Sequence, residues 1–301
     1  MVFTVLDVLP GNAAEVMLGD SATPEALAAL SARLGLDRPA PTRYARWIAG
    51  FGSGDLGSSV AYDTPIAALV AERLAVTVPL AAMAMLLTTL LAFSIGLFAA
   101  ARHRRVGDVG VMAVSQLGIA VPNFWFAILL ILVFAVKLRW FPAGGFPGWR
   151  ANDSDGGGIG PALRALALPA LALAAVQAAI LARIVRAAVL EVMREDFVRT
   201  ARAKGLSPRA VLWRHVLRNA MVPVVTVMGL QFANLLTGTV VIENVFSLPG
   251  LGRLVFQAIA NRDLPVVRDV VMLLAATVIV INFAVDVLYV VIDPRLRAGP
   301  R

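Results

Sequence analysis

The 301-residue chain contains no cysteine and only two histidines, His103 and His215. Disulfides, thiolate metal sites and cysteine nucleophiles are excluded together, and two imidazoles cannot build a histidine-rich metal centre. Charge is scarce as well. Asp, Glu, Lys and Arg make up 15% of the residues while 59% are hydrophobic, and a soluble domain carries roughly a quarter charged residues. That balance points to a membrane. The net charge of +8 does not redirect the reading to nucleic acid, because the arginines fall in short stretches between long apolar runs, as basic inner loops do. The chain also lacks a Gly-x-x-x-x-Gly-Lys-Ser/Thr phosphate loop and a His-Glu-x-x-His zinc arrangement, so it has no visible means of hydrolysing ATP or of zinc proteolysis.

What is present is a series of apolar runs. Leu74 to Ala101, Val109 to Val136, Leu166 to Leu190, Ala220 to Ile242 and Val270 to Ile292 each reach the roughly 20 residues that a transmembrane helix needs. The third carries Arg183 and Arg186 near one end, where long side chains can snorkel. Residues 1–9 are apolar apart from Asp7, but at about 1.5 Å per residue they cover less than half the crossing. They read as the remnant of a first span that either begins upstream or has been shortened.

The basic residues orient the chain. Arg102, Arg104 and Arg105 follow the first full run, the stretch Arg183 to Arg218 holds nine basic residues against three acids, and Arg295, Arg297 and Arg301 close the chain. These segments alternate correctly to share one side, which the positive-inside rule makes cytoplasmic. Met1 to Glu72, with eight acids and four basic residues, belongs outside, as do the loops Lys137 to Arg164 and Asn244 to Asp269. Within the outer segment, Thr23 as cap and Pro24 at the first helical position predict a helix through Leu34 that ends at Gly35; a second short helix is expected over Tyr44 to Phe51. Asp153 to Gly160 reads as an exposed loop tip.

The cytoplasmic stretch Glu191 to Arg218 is too long for a turn and too patterned for a linker. Phe197, Thr200 and Ala201 suit a short amphipathic helix over Arg194 to Lys204. Gly205 ends it, and Ser207-Pro208 restarts a helix with a cap and a first-turn proline. Taken as composition alone, such a basic hairpin fits attraction to anionic lipid.

Its wording says more. Asp196-Phe197-Val198-Arg199-Thr200-Ala201-Arg202-Ala203-Lys204-Gly205-Leu206-Ser207, followed by Arg214-His215-Val216-Leu217-Arg218-Asn219-Ala220 and Val222-Pro223, resembles the EAA loop of permease subunits of binding-protein-dependent ABC importers, in the dipeptide/oligopeptide branch that also includes nickel and glutathione relatives. Gly205 matches the family glycine, and Arg199, Thr200 and Ala201 occupy the naming positions, with Arg199 in place of the Glu of the general motif and Arg218 in place of its later Pro. Further strings keep the family order: Leu9-Pro10-Gly11-Asn12, Gly54-Asp55-Leu56-Gly57 with Ala71-Glu72-Arg73-Leu74, Val245 to Arg253, Asn261 to Val267, and Asp286-Val287-Leu288-Tyr289 through Arg297.

The resemblance implies an all-α polytopic membrane protein of the type I ABC importer permease fold, with five complete transmembrane helices plus a truncated first span. The expected organisation is a span remnant at 1–9, an extracytoplasmic segment with short helices at 10–73, a transmembrane permease core at 74–292 containing a coupling loop at 191–218, and a cytoplasmic tail at 293–301. It also implies partners: a second homologous permease, two cytoplasmic ATPase subunits that bind the ATP, and an extracytoplasmic binding protein. The chain itself would need no cofactor, would bind no nucleic acid and would act as a transport subunit in the cytoplasmic membrane. Phe197, Arg199, Thr200, Ala201, Lys204, Gly205, Leu206 and His215 would form the ATPase-coupling loop. Peptides are the implied cargo, with nickel chelates or glutathione as alternatives in the same family.

Polar residues inside the runs are the remaining candidates, because they are costly in hydrocarbon. Asp286 fits either a functional role or a buried partner for a neighbouring helix. Gln177, Gln231, Asn234 and Asn282 fit a polar pathway or interhelical hydrogen bonds. Glu243 and Asn244, at the outer mouth of the fourth run, fit gating or solvation. Trp125, Trp140, Phe141 and Trp149 read as aromatic-belt and packing residues, and Pro122 and Pro169 are expected to kink their spans. Gly52-Ser53-Gly54-Asp55 and Tyr62-Asp63 resemble the aspartate signatures of intramembrane aspartyl proteases, but in reversed order and in a polar segment. A self-contained channel or secondary transporter would call for several intramembrane acids or an interrupted inverted repeat; the runs hold one central acid and no repeat.

Overall fold

The computed structural model describes residue 3 and residues 13–19, 22–153 and 156–292, so the strings Leu9 to Asn12 and Asp293 to Arg297, the tail at 293–301 and all of the remnant at 1–9 except Phe3 lie outside the described residues. Among the described residues the regular structure is helical, apart from a single antiparallel bridge between Ser58 and Pro65. A short helix α1 (Ala13–Leu18) precedes α2 (Pro24–Leu34). The Thr23 hydroxyl accepts from the Ala26 N–H at 3.2 Å, and Gly35 closes α2 at φ 65°, a left-handed conformation that glycine adopts without Cβ crowding. Helix α3 (Ala40–Ser53) is longer than the expected Tyr44 to Phe51, because Pro39 and Pro41 fit the helix start, where a missing N–H costs nothing.

Among the described residues, four helices are long and apolar enough to cross a membrane: α4 (Ile66–Ala101), α7 (Ile159–Val192), α9 (Pro208–Val245) and α11 (Leu264–Ile292). The expected run Val109 to Val136 is not one straight helix. It forms α5 (Val106–Ala120) and α6 (Asn123–Lys137), bent by 101° at the break. Proline disfavours helical backbone at the residue before it, and Val121 accordingly sits extended at φ −87°, ψ 125°, so the chain turns at Val121-Pro122. Pro169, by contrast, is carried inside the continuous helix α7. The first run also starts earlier than its apolar stretch: α4 extends through Glu72 and Arg73 back to Ile66. The segment Asn244 to Asp269, expected as an outer loop, contains a helix, α10 (Leu251–Ala260), that hydropathy alone does not announce.

The chain divides into two compact units, residues 1–77 with 249–277 and residues 78–248 with 278–301. In the first, Ile66 and Val70 of α4 pack with Leu251, Leu254 and Ala258 of α10 and Val266 and Val270 of α11. A buried carboxylate ties its loop down: Asp263 accepts from the Ser59 hydroxyl at 2.5 Å and from the Ala61 N–H at 3.1 Å. In the second, α4 and α7 approach closely because Gly96 leaves room; a Cβ there would stand 2.7 Å from the Ala182 carbonyl oxygen. The core of this unit continues from Leu181 and Val185 of α7 into the segment that follows α7, through Val198 and Ala201.

Candidate functional site

The stretch after α7 folds as the short helix α8 (Asp196–Ala203), followed by a turn and then α9. Helix α8 is two-faced. Val198 is fully buried and Ala201 is 6% exposed, both in the cluster formed with Leu181, Val185 and Val189 of α7 and Val211, Val216 and Leu217 of α9. One helical turn apart, Val198 and Ala201 therefore fasten the helix to its own bundle. Phe197, Arg199, Thr200, Arg202 and Lys204 are exposed. The exposed edge thus combines one aromatic ring with three cations. Arg199 pairs with Asp196 at 3.2 Å in full view of solvent, a contact of little energetic weight.

The turn is built on Gly205. Its φ is +81°, and a Cβ at this position would meet nothing within 4 Å, so the requirement for glycine is conformational and not one of space. The Gly205 N–H donates to the Arg202 carbonyl, and the Leu206 N–H reaches back to Ala201 at 3.4 Å. Leu206 packs partly against the core cluster. The Ser207 hydroxyl accepts from the Ala210 N–H at 3.3 Å, capping the next helix as its sequence predicts. That helix does not stop as the second arm of a separate hairpin: it passes through one π-turn (Leu212–Val216) straight into the span, giving 38 continuous residues, Pro208–Val245. The turn is thereby joined to a helix of membrane-spanning length without an intervening loop. His215 lies in the π-turn, and its backbone carbonyl accepts from the Asn219 side chain at 2.7 Å.

A buried ion pair lies beside this element, and sequence reasoning missed it. Arg186 does not snorkel; it donates from Nε and Nη2 to the two carboxylate oxygens of Asp108, each at 2.6 Å. Asp108, 3% exposed in the first turn of α5, also accepts from the Arg104 N–H at 3.1 Å, and His103 Nδ1 stands 3.2 Å from Arg186 Nη2. The pair joins α5 to α7 one turn before Val189, which packs in the same cluster as Val198 and Ala201. The available signal was an acid immediately before one apolar run and an arginine inside another, both assigned to the same side.

The other polar candidates divide. Gln231, 3% exposed on α9, donates from Nε2 to the Gln177 carbonyl on α7 at 3.0 Å, so these two are brought together as an interhelical contact. Asn234 is exposed on α9, away from that contact. Asn282 has a buried side-chain oxygen without a hydrogen bond among the described residues. Asp286 is exposed in this chain, in the last third of α11, which does not fit the reading of a carboxylate buried against a neighbour within the chain. Glu243 is fully buried, which removes the reading of a solvating residue at a mouth. Among the expected belt residues, Trp125 and Trp140 are about half exposed, as a membrane-facing ring would be.

The architecture is that of a multi-pass, all-α membrane protein with the type I ABC importer permease fold. A solved structure of the methionine ABC transporter MetNI in an inward-facing conformation matches with a TM-score of 0.60 over 75% of this chain and 96% of that one, at 18% sequence identity. Residues 92–298 match the family "Binding-protein-dependent transport system inner membrane component", and residues 1–81 match its N-terminal companion. The chain belongs to that family, as an ABC importer permease subunit of the peptide/oligopeptide branch. It is 43% identical to a putative peptide transport system permease protein of Brucella abortus over 99% of this chain and 93% of the relative. It is 38% identical to the glutathione transport system permease protein GsiC of Escherichia coli over 99% of this chain and 92% of the relative. The family is one of non-catalytic transport subunits, and among the described residues no group of His, Cys, Asp and Glu is arranged to hold a metal.

Proposed function

We propose that the chain forms, with a second related permease, the translocation pathway of an importer for short peptides, driven by two ATP-binding subunits on the cytoplasmic side. The observation that carries this reading is the two-faced helix α8 with its glycine turn: Val198 and Ala201 hold it to the bundle while Phe197, Arg199, Thr200 and Lys204 are exposed on the side a partner would meet. Closure of the ATPase pair on ATP would push this edge, and the continuous helix Pro208–Val245 would carry the displacement into the membrane. The lever works only if its contacts differ between the ATP-bound and ATP-free states. The peptide cargo rests on the branch of the family and on the names of the two relatives, one a peptide and one a glutathione permease.

Uptake tests the cargo. Cells lacking the gene for this chain are expected to lose accumulation of labelled di- and tripeptides and to regain it on complementation; unaffected peptide uptake with lost nickel-chelate uptake would reassign the cargo. The proposed orientation puts the loop containing Asp153 outside and residues 293–301 inside. A single cysteine replacing Asp153 should react with an impermeant maleimide in intact cells, whereas one replacing Arg301 should react only after the membrane is opened. The reverse pattern would overturn the orientation.

A further inference from the structure

The first compact unit holds a cavity of about 670 Å³ that the coupling mechanism does not use, a volume within the usual range for small-molecule sites. Its walls come from the turn after α2, one face of α3 and the first turns of α11, and they carry four arginines, Arg38, Arg43, Arg46 and Arg268, against one acid, Asp55. Arg43, Arg46 and Trp47 share a face of α3 by their spacing. Asp55 is already engaged, accepting from the Gly57 N–H at 3.1 Å.

The aromatic side of the cavity is held in place. Trp47, 9% exposed, donates from Nε1 to Asp269 Oδ1 at 2.5 Å, and Arg268 donates from Nε to the same oxygen at 3.0 Å. The Arg268 guanidinium lies 4.9 Å over the Trp47 ring, and Phe3 stacks on that ring at 5.8 Å. The fully buried Asp269 thus positions one cation and one aromatic ring together. Arg38 and Arg46, in contrast, make no ion pair or side-chain hydrogen bond with any described residue. Two uncommitted guanidinium groups beside a fixed aromatic wall fit a ligand with a carboxylate at one end and an apolar group next to it.

We infer that this cavity is a receiving site for the C-terminal end of a short peptide, with Arg38 and Arg46 on the carboxylate and Trp47 against the last side chain. The inference rests on the peptide-import reading and on the outward placement of residues 10–73. An anionic lipid headgroup is the rival occupant. The peptide is favoured because most of the cavity wall belongs to the hydrophilic segment between Met17 and Gly57, with Phe3 from the apolar start and Leu264, Pro265 and Arg268 from a span helix making up the rest.

The test uses the full chain in its complex with the partner subunits, in discs of zwitterionic lipid, without the binding protein. Titration calorimetry with Ala-Phe and Ala-Ala-Phe is compared with the same peptides as C-terminal amides. The acids should bind, and amidation or Arg46→Gln should each weaken binding by about tenfold or more, since a hydrogen bond to a charged group is lost. Arg38→Gln provides a second variant at an exposed position that leaves the core untouched. Equal binding of acid and amide, indifference to both variants, or loss of peptide binding when phosphatidylglycerol is added to the discs would overturn the proposal, the last in favour of lipid. Uptake of the same peptides is measured alongside in cells that carry the wild-type complex and its binding protein. Intact uptake without acid-selective binding ends the cavity proposal alone, and absent uptake ends the reading beneath it.

Discussion

Asp108→Ala should lower the stability of the purified chain by about 2 to 3 kcal/mol, because it strands the Arg186 guanidinium. Breaking a fully buried pair costs about 3 to 5 kcal/mol; the lower figure applies because the Arg186 side chain keeps 23% of its exposure while Asp108 keeps 4%. The bidentate geometry, two bonds of 2.6 Å, makes the loss specific to the carboxylate. Asp108→Asn should cost less, since an amide oxygen still accepts one of the two bonds. The double variant Asp108→Ala with Arg186→Met should recover most of the loss, because no charge is then left buried without its partner. Thermal unfolding in detergent reads these three variants together with the wild type and Arg186→Met alone, which closes the cycle. If the two single changes simply add in the double variant, the pair contributes no coupling energy and the account of it fails.

The second large effect is expected in function, at the turn after α8. Ala201→Asp places a carboxylate at a position that is 6% exposed among the apolar side chains of α7 and α9. An unpaired buried charge is costly, and an eight-residue helix has little else to keep it seated. The helix should detach, leaving ATP hydrolysis by the partner subunits in place while peptide uptake falls by tenfold or more. Gly205 reaches a similar end by a different cause. A β-branched residue at φ +81° is strained by about 1 to 2 kcal/mol, although nothing crowds the site. Gly205→Val should therefore uncouple strongly, Gly205→Ala less, and Gly205→Asn least, because asparagine tolerates the left-handed region. A series ordered by side-chain volume alone would instead point to crowding by a partner subunit.

These two sites differ in how far the sequence disclosed them. The turn was legible in detail: Gly205 after an amphipathic stretch and Ser207-Pro208 as a capped restart are local signals, and the structure reproduces both. Helix α2, with Thr23 before it and Gly35 after it, was legible for the same reason. The role of Ala201 was only half legible. The motif marks it as part of the loop, but which face of α8 meets the bundle depends on where α7 and α9 lie, and the structure turns Ala201 inward. Asp108 and Arg186 are 78 residues apart, and hydropathy treats the first as the end of a polar turn and the second as an isolated blemish in an apolar run. Only the packing of α5 on α7 shows that they neutralise one another. The break at Val121-Pro122 was visible as a proline, but a proline in an apolar run is compatible with a kink or a full stop: Pro169 stays within one helix while Pro122 separates two. The helix α10 escaped notice because its turn signals and short length disguised a segment whose apolar face packs on α4 and α11.

The central claim is that the exposed edge of α8 meets the ATP-binding subunit. The chain has no native cysteine, so single cysteines placed by Arg199→Cys and Lys204→Cys, with Arg104→Cys in the preceding basic turn as comparison, can be crosslinked in the purified complex without background from this chain. Crosslinks to the ATP-binding subunit from positions 199 and 204, with yields that change between the ATP-trapped and nucleotide-free states, are the predicted result. Crosslinking from position 104 but from neither 199 nor 204 would contradict the account and move the coupling surface to another loop.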